Sequence, residues 1–305
     1  MLQILLNALA LGSAYALLAI GFVLVLNATS AVNFTQGDMV MAGGFLAVAI
    51  AAVLPLPGIA LLPVVMALMM GLGLVFSLLA YFPLKSRPPV SVFISTIALG
   101  IVFQNTANAI FGAAPRAAPP LFGGGSLVVG GVSISAQAAS VIGVAALLIA
   151  AQWWLFSRTA LGLRLRATAQ DRQMAEAVGI RVNWMIAATF GLAAALAGAA
   201  GLLLANTFFV SPTDGTNYII KAYIAVTIGG WGSLAGAVLG AMLIALFEVI
   251  YPSIPTLLPI FDSSSPLVSE LFSQTTATII LYAVVLVILV VRPQGLFGEK
   301  VQRRA

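Results

Sequence analysis

The chain has 305 residues, of which 62% are hydrophobic and only 7% charged. A soluble domain carries about 25% charged residues, so a soluble fold of this length is excluded. The net charge is +5, with no cysteine and no histidine, which removes disulfides, thiol nucleophiles and histidine-based metal sites or proton relays.

Lipid tolerates only helices or closed barrels, because every backbone polar group must be satisfied internally. The apolar runs here are long and continuous, without the alternation of barrel strands. The expected fold class is therefore an all-α polytopic membrane protein with about eight to nine membrane segments, some of them broken or re-entrant.

Residues 2–26 form the first span, long enough for a bilayer core of about 30 Å; they lack the basic leader of a cleavable signal peptide. A polar stretch, 27–38, precedes a second apolar segment at 39–54 and a Pro55, Pro57, Gly58 turn. A third span, 59–82, ends at Pro83 and a loop carrying Lys85 and Arg87, and a fourth covers 91–111. Residues 112–131 are rich in glycine and proline and predict an irregular loop, followed by a span at 137–156. The segment 158–184 then carries five arginines (158, 164, 166, 172, 181) with Asp171 and Glu176. The small residues of span 185–205 suit an interior helix, since they let helices approach closely in lipid. A stretch at 218–250, broken by Gly229-Gly230-Trp231-Gly232-Ser233, a polar region at 251–273 and a last span at 275–291 complete the chain.

Eleven of the 13 basic residues fall in three clusters: Lys85 with Arg87, the five central arginines, and Arg292 with Lys300, Arg303 and Arg304. Such clusters orient spans by the positive-inside rule, so the basicity predicts no nucleic-acid partner. With all three on the cytoplasmic side, parity puts the N-terminus outside, the C-terminus inside, and loops 112–136 and 251–273 outside. It also requires 218–250 to be two short helices or a re-entrant pair. The polar-to-glycine-pair patterns N-F-T-Q-G-D-M-V-M-A-G-G and D-G-T-N-Y-I-I-K-A-Y-I-A-V-T-I-G-G echo each other, as internal repeats of transporters do.

Three constellations stand out. In the central loop, residues 167–178 read as one short amphipathic helix with Asp171 near its start and Gly179 just past its end. Its apolar face would hold Ala169, Met174, Ala175 and Val178, with Arg172 and Glu176 paired on the charged face. That suits docking in a partner's groove, and equally a basic loop on lipid headgroups. The second constellation is Asn33, Thr35, Gln36, Gly37 and Asp38, polar groups between apolar segments that line a cavity or form a wetted turn. The third is Gly229, Gly230 and Ser233, whose freed backbone groups suit a passing solute, with Lys221 expected near the external end of its helix. No phosphate-binding G-x-x-x-x-G-K-[ST] motif and no catalytic or metal constellation occurs. An ion-coupled carrier would need buried carboxylates, and only Asp38 and Glu248 are candidates, both placed near segment ends.

Several stretches carry a resemblance: L-G-S-A-Y-A-L-L-A-I-G-F (11–22), V-N-F-T-Q-G-D (32–38), G-L-R-L-R-A-T-A-Q-D-R-Q-M-A-E-A-V-G-I (162–180), K-A-Y-I-A-V-T-I-G-G-W-G-S-L-A-G-A-V-L-G (221–240) and R-P-Q-G-L-F-G (292–298). Together the sequence resembles the permease subunits of branched-chain amino acid ABC importers. The resemblance implies a single permease domain over 1–305 in the bacterial inner membrane, with 158–184 as the coupling loop. Arg166, Ala169, Asp171, Met174, Ala175 and Gly179 would then dock on an ATPase. It implies a second permease subunit, two cytoplasmic ATPase subunits and a periplasmic binding protein as partners, with ATP and Mg on the ATPases and no cofactor on this chain. Loops 112–131 and 252–273 would meet the binding protein. Family members more usually carry His-Gly-Glu where this chain has Gln36-Gly37-Asp38, so a pH role for that turn has no support. Urea, an amide or a sugar remains open as the solute.

Overall fold

A computed structural model describes residues 2–123, 125–129, 132–257, 265–292 and 295. Asp262, Lys300, Arg303 and Arg304 lie outside these residues.

The chain is helical as expected. Among the described residues, eight helices are long and apolar enough to cross a membrane. These are α1 (Leu2–Thr29), α2 (Gln36–Val53), α3 (Gly58–Phe76, prolonged to Leu84 through a π turn), α4 (Pro89–Phe111), α5 (Ala136–Arg158), α8 (Val182–Phe208), α10 (Leu234–Leu257) and α12 (Gln274–Val291). Shorter helices are α6 (Ala160–Gln170), α7 (Arg172–Ala177), α9 (Asp214–Gly229) and α11 (Pro266–Leu271). With 16 residues, α9 is about 24 Å long, short for a crossing. The result is eight candidate spans plus one shorter element that turns at residues 230–233. The loop before α5 is not wholly irregular: β1 (Ser126–Val129) and β2 (Val132–Ser135) pair antiparallel.

Burial sorts the helices. α1 and α8 are apolar all round and almost entirely covered, whereas α4, α5 and α12 turn much of their surface outward. Ile94, Ile101, Leu147 and Leu286 are exposed there, as lipid-facing side chains should be. α8 is the central post, packed against α1, α2 and α3. Its small residues are the reason. Gly198 faces Gly43 of α2 on one side and Met69 of α3 on another, and Phe190 meets Gly73. A Cβ on Gly201 would collide with the carbonyl oxygen of Val40. Such backbone proximity is the stabilising device left to helices in lipid, where hydrophobic burial drives nothing.

Lys85, Arg172 and Arg292, one described residue from each basic cluster, gather toward one end of the bundle. Lys85 Nζ donates to Asn183 Oδ1 at 3.3 Å, Arg172 reaches the end of α1, and Gly295, close to Arg292, approaches Gly230. At the opposite end, Arg116 pairs with Val210, and the Ser135 N–H donates to Gln3 Oε1 at 3.4 Å.

Gly201→Leu is expected to force α2 and α8 apart, at a cost of about 1–3 kcal/mol or more for overpacking. A thermal melt of the detergent-solubilised chain should fall by several degrees, while Gly143→Leu, which meets nothing within 4 Å, leaves it unchanged.

Candidate functional site

The basic segment folds as two helices, not the single helix expected over 167–178. Thr159 caps α6, accepting from the Gly162 N–H at 3.0 Å. Asp171 ends α6 in extended conformation and caps α7, its Oδ1 accepting from the Met174 N–H at 3.0 Å. α7 closes at Gly179 as anticipated. Gly179 has φ 85°, its N–H donates to Glu176 O at 2.9 Å, and the Ile180 N–H donates to Ala175 O at 3.0 Å. These are the two bonds of a Schellman cap.

Two expectations for this segment are corrected. Arg172 does not lie beside Glu176 on an exposed face. Its Nη2 donates to the Ala28 carbonyl at 2.7 Å and its Nη1 to the Tyr81 hydroxyl at 3.0 Å. Ala28 lies in the last turn of α1, whose orphan carbonyls favour a cation, and Tyr81 lies in the π turn that widens the end of α3. One guanidinium thus clamps α7 to two spans. Ala175 is not on the outer surface; it is 3% exposed and belongs to the core. The outward face carries Met174 and Val178, 62% and 69% exposed, with Arg166, Ala169, Asp171 and Gly179 also exposed.

The turn at 33–38 is sealed inside the bundle. Thr35 Oγ1 donates to the Thr96 carbonyl at 2.5 Å, Asn33 Oδ1 accepts from the Thr35 N–H at 3.1 Å, and Gln36 Nε2 donates to the Ala193 carbonyl at 3.0 Å. Ala193 lies midway along α8, so α2 begins at mid-depth. α9 begins there too, for a Cβ on Gly37 would strike the Gly215 carbonyl and one on Gly215 would strike Asp38. The two echoed motifs therefore meet at their glycines. Asp38 lies in the first turn of α2, near a segment end as expected, but that end is inside the bundle: the residue is 5% exposed, and its Oδ1 accepts from Gln104 Nε2 at 2.8 Å. Gln104 also donates to Thr216 Oγ1 at 3.1 Å. Beside it, Asn105, Asn108, Thr216 and Asn217 are exposed, a polar strip that lipid does not tolerate. None of these was singled out from sequence. The polar residues of α4, spaced within an otherwise apolar run, were the available signal.

The glycine break at the basic end is a tight hairpin. Gly229 abuts the Gly236 carbonyl, Gly230 has φ 104°, Ser233 Oγ caps α10 by accepting from the Gly236 N–H at 3.0 Å, and Asn27 Nδ2 donates to Gly232 O at 2.9 Å. Trp231 stacks edge-on to Tyr223 with ring centroids 5.4 Å apart.

Lys221 is likewise not at an outer helix end with its head in water. It is ion-paired with Glu248 Oε1 at 2.5 Å and donates to Tyr15 Oη at 2.6 Å, Tyr15 standing midway along α1. Among the described residues no group of three or more acidic or histidine side chains could hold a metal.

A multi-pass helical bundle with one tightly capped basic segment and an exposed polar strip among apolar helices suits a membrane transport component. The model of one family, branched-chain amino acid transport system / permease component, matches residues 4–290, and the chain belongs to that family. The chain is 29% identical to the high-affinity branched-chain amino acid transport system permease protein BraD of Pseudomonas aeruginosa, over 98% of this chain and 96% of that protein. The same figures hold for the LivH permease of Escherichia coli K12. An autoinducer 2 import system permease, LsrC of Escherichia coli O9:H4, is 33% identical over 117 residues, 37% of this chain and 34% of that protein.

Arg172→Gln should release α7. A charge-assisted hydrogen bond is worth about 1.5–3 kcal/mol, so amide exchange of residues 172–178 is expected to accelerate by about tenfold or more. Exchange in α8 should stay as it was.

Proposed function

We propose that this chain is the membrane-spanning permease subunit of an ATP-driven importer, carrying branched-chain or related hydrophobic amino acids across the bacterial inner membrane. The observation that carries the reading is the α6–α7 segment, ordered by two caps and a guanidinium clamp while Met174 and Val178 stay outside. A segment held this firmly with bare apolar side chains is suited to fill a groove on a soluble partner. The chain has no phosphate-binding loop, so the energy comes from that partner. Two ATPase subunits, a second permease subunit and a periplasmic binding protein complete the assembly, and ATP and Mg sit on the ATPases.

In this reading Arg166, Ala169, Asp171, Met174 and Gly179 form the docking surface, and Ala175 supports it from behind. The basic end faces the cytoplasm and the N-terminus lies outside. The solute passes along the polar strip of Gln104, Asn105, Asn108 and Thr216, with Asp38 at its floor. Asn33, Thr35, Gln36 and Gly37 hold that floor in place, and Gly229, Gly230 and Ser233 form the hinge at the cytoplasmic exit. Among the solutes, branched-chain amino acids are favoured by relatives that match almost end to end. The partial likeness to an autoinducer 2 permease favours, as a second reading, another small polar solute on the same frame.

Met174→Glu combined with Val178→Glu should abolish co-purification with the cognate ATPase while the chain's own melting temperature holds, since both side chains are exposed. Retention of a full complex, with uptake unchanged, would refute the docking assignment. The absence of cysteine makes orientation directly readable. A single cysteine at Met174 should react with a membrane-impermeant maleimide only after the inner face is opened, and one at Phe122 in intact spheroplasts.

A further inference from the structure

The one ion pair among the described residues, Lys221 with Glu248, lies inside the bundle, with side chains 17% and 12% exposed. Taking two charges out of water costs several kcal/mol per ion, and an apolar contact would join α9 to α10 at least as well. Ionisable groups at such depth ordinarily serve a pathway.

The pair is not enclosed. It lines a cleft of about 580 Å³ that extends to Phe208, Pro252 and Gln274, toward the ends of α8, α10 and α12 away from the basic loop. The volume falls within the range of roughly 300–1,000 Å³ typical of small-molecule pockets. Its chemistry is divided. One part carries Lys221, Glu248 and Asp214, and the other is apolar, built from Leu11, Leu204, Phe208 and Val249.

The donors and acceptors have capacity to spare. A lysine ammonium has three donors, and Lys221 spends two of them, on Tyr15 and Glu248. Glu248 Oε1 also accepts from Gln274 at 2.9 Å, but Oε2 takes only a long bond of 3.3 Å from Tyr15. Asp214 commits Oδ2 to the Ser211 N–H at 2.7 Å, and among the described residues no donor reaches Oδ1. Two carboxylates against one ammonium give the cleft an excess of negative charge.

We propose that this cleft is the solute-receiving site of the permease, and that it takes a zwitterionic α-amino acid with an aliphatic side chain. The proposal rests on the permease reading given above. The solute's carboxylate takes the third donor of Lys221, its ammonium goes to Asp214 and Glu248, and its side chain lies on the Leu204–Phe208–Val249 wall. The excess negative charge rejects a carboxylate that brings no ammonium. Tyr15 and Gln274 keep the pair intact when the site is empty.

The test uses the assembled transporter in proteoliposomes, with radiolabelled leucine presented on saturating binding protein so that capture is not limiting. Asp214→Asn, which breaks no cross-helix ion pair, should slow uptake about tenfold or more, the loss of one charge-assisted hydrogen bond. Lys221→Glu combined with Glu248→Lys keeps the ion pair but exchanges its poles. It should melt near the wild-type temperature and still transport at least about tenfold more slowly. Titration calorimetry on the purified complex without binding protein should give a signal for leucine and none for 4-methyl-2-oxopentanoate, which has a ketone in place of the amine. Wild-type uptake in Asp214→Asn, or full recovery in the exchanged pair, would reduce Lys221–Glu248 to a structural cross-link and overturn the site. Equal binding of the keto acid would do the same. A wild-type complex that moves another solute but no amino acid would instead bring down the substrate reading itself.

Discussion

Everything about this bundle follows from starting two helices inside it. α2 and α9 both begin at mid-depth, where Gly37 and Gly215 touch. A helix start carries orphan N–H groups, and lipid supplies no water to meet them. Before α2 the chain meets part of the demand with acceptors already at hand: Thr96 Oγ1 serves the Phe34 N–H, Asn33 Oδ1 the Thr35 N–H and the Asn33 carbonyl the Gln36 N–H, while the Thr35 and Gln36 side chains donate to the carbonyls of Thr96 and Ala193. The polar residues of the turn are thus the condition for an interrupted helix. Only what they leave over, Asp38 with Gln104 and Thr216, opens toward a surface. Glycine is required at 37 because a Cβ there would meet the backbone of Gly215 and Ile219, which cannot move aside, and at 215 because a Cβ would strike the buried Asp38 carboxylate.

A second consequence concerns α1. This nearly buried helix carries Ala28 and Asn27 at one end and Tyr15 at its middle. Ala28 is held by Arg172 of the projecting segment, Asn27 by the glycine hairpin at Gly232, and Tyr15 by the Lys221–Glu248 pair. α1 is therefore gripped at three places, by the α6–α7 segment, by the glycine turn between α9 and α10, and by the charged cleft. Contiguity of this kind supplies a physical route between ends, and coupling along it requires that α1 have two positions, which a double-mutant cycle between Arg172 and Tyr15 would measure.

The sequence made the fold class, the spans and the clustering of basic residues readable, because hydropathy and charge act locally and every segment reports its own preference for lipid or water. The Schellman end at Gly179 was equally legible, since a glycine after a short amphipathic run has few other uses. What escaped was every pairing across the chain. Arg172 looked like half of an i, i+4 pair with Glu176, yet two acceptors, Ala28 and Tyr81, outbid a solvent-exposed carboxylate worth a few tenths of a kcal/mol. Ala175 looked like a docking residue because the apolar face of so short a helix does not reveal which half turns inward. Lys221 and Glu248 looked like isolated groups near segment ends, since the depth of a residue depends on where its helix begins, and α9 begins inside.

The same logic bears on why so apolar a protein keeps a charged pair at all. Replacing it with aliphatic residues would remove a desolvation cost and preserve contact between α9 and α10, so fold stability gives no reason for its retention. A pathway does give one. A passing solute that carries both charges cannot shed its water for an apolar wall, but it can exchange that water for contacts with a matched pair already held in place by a tyrosine and a glutamine. The pair's dehydration cost is met once, during folding, and is not met again with each solute. In the proposed site, the aliphatic wall beside it would then set which side chains are comfortable.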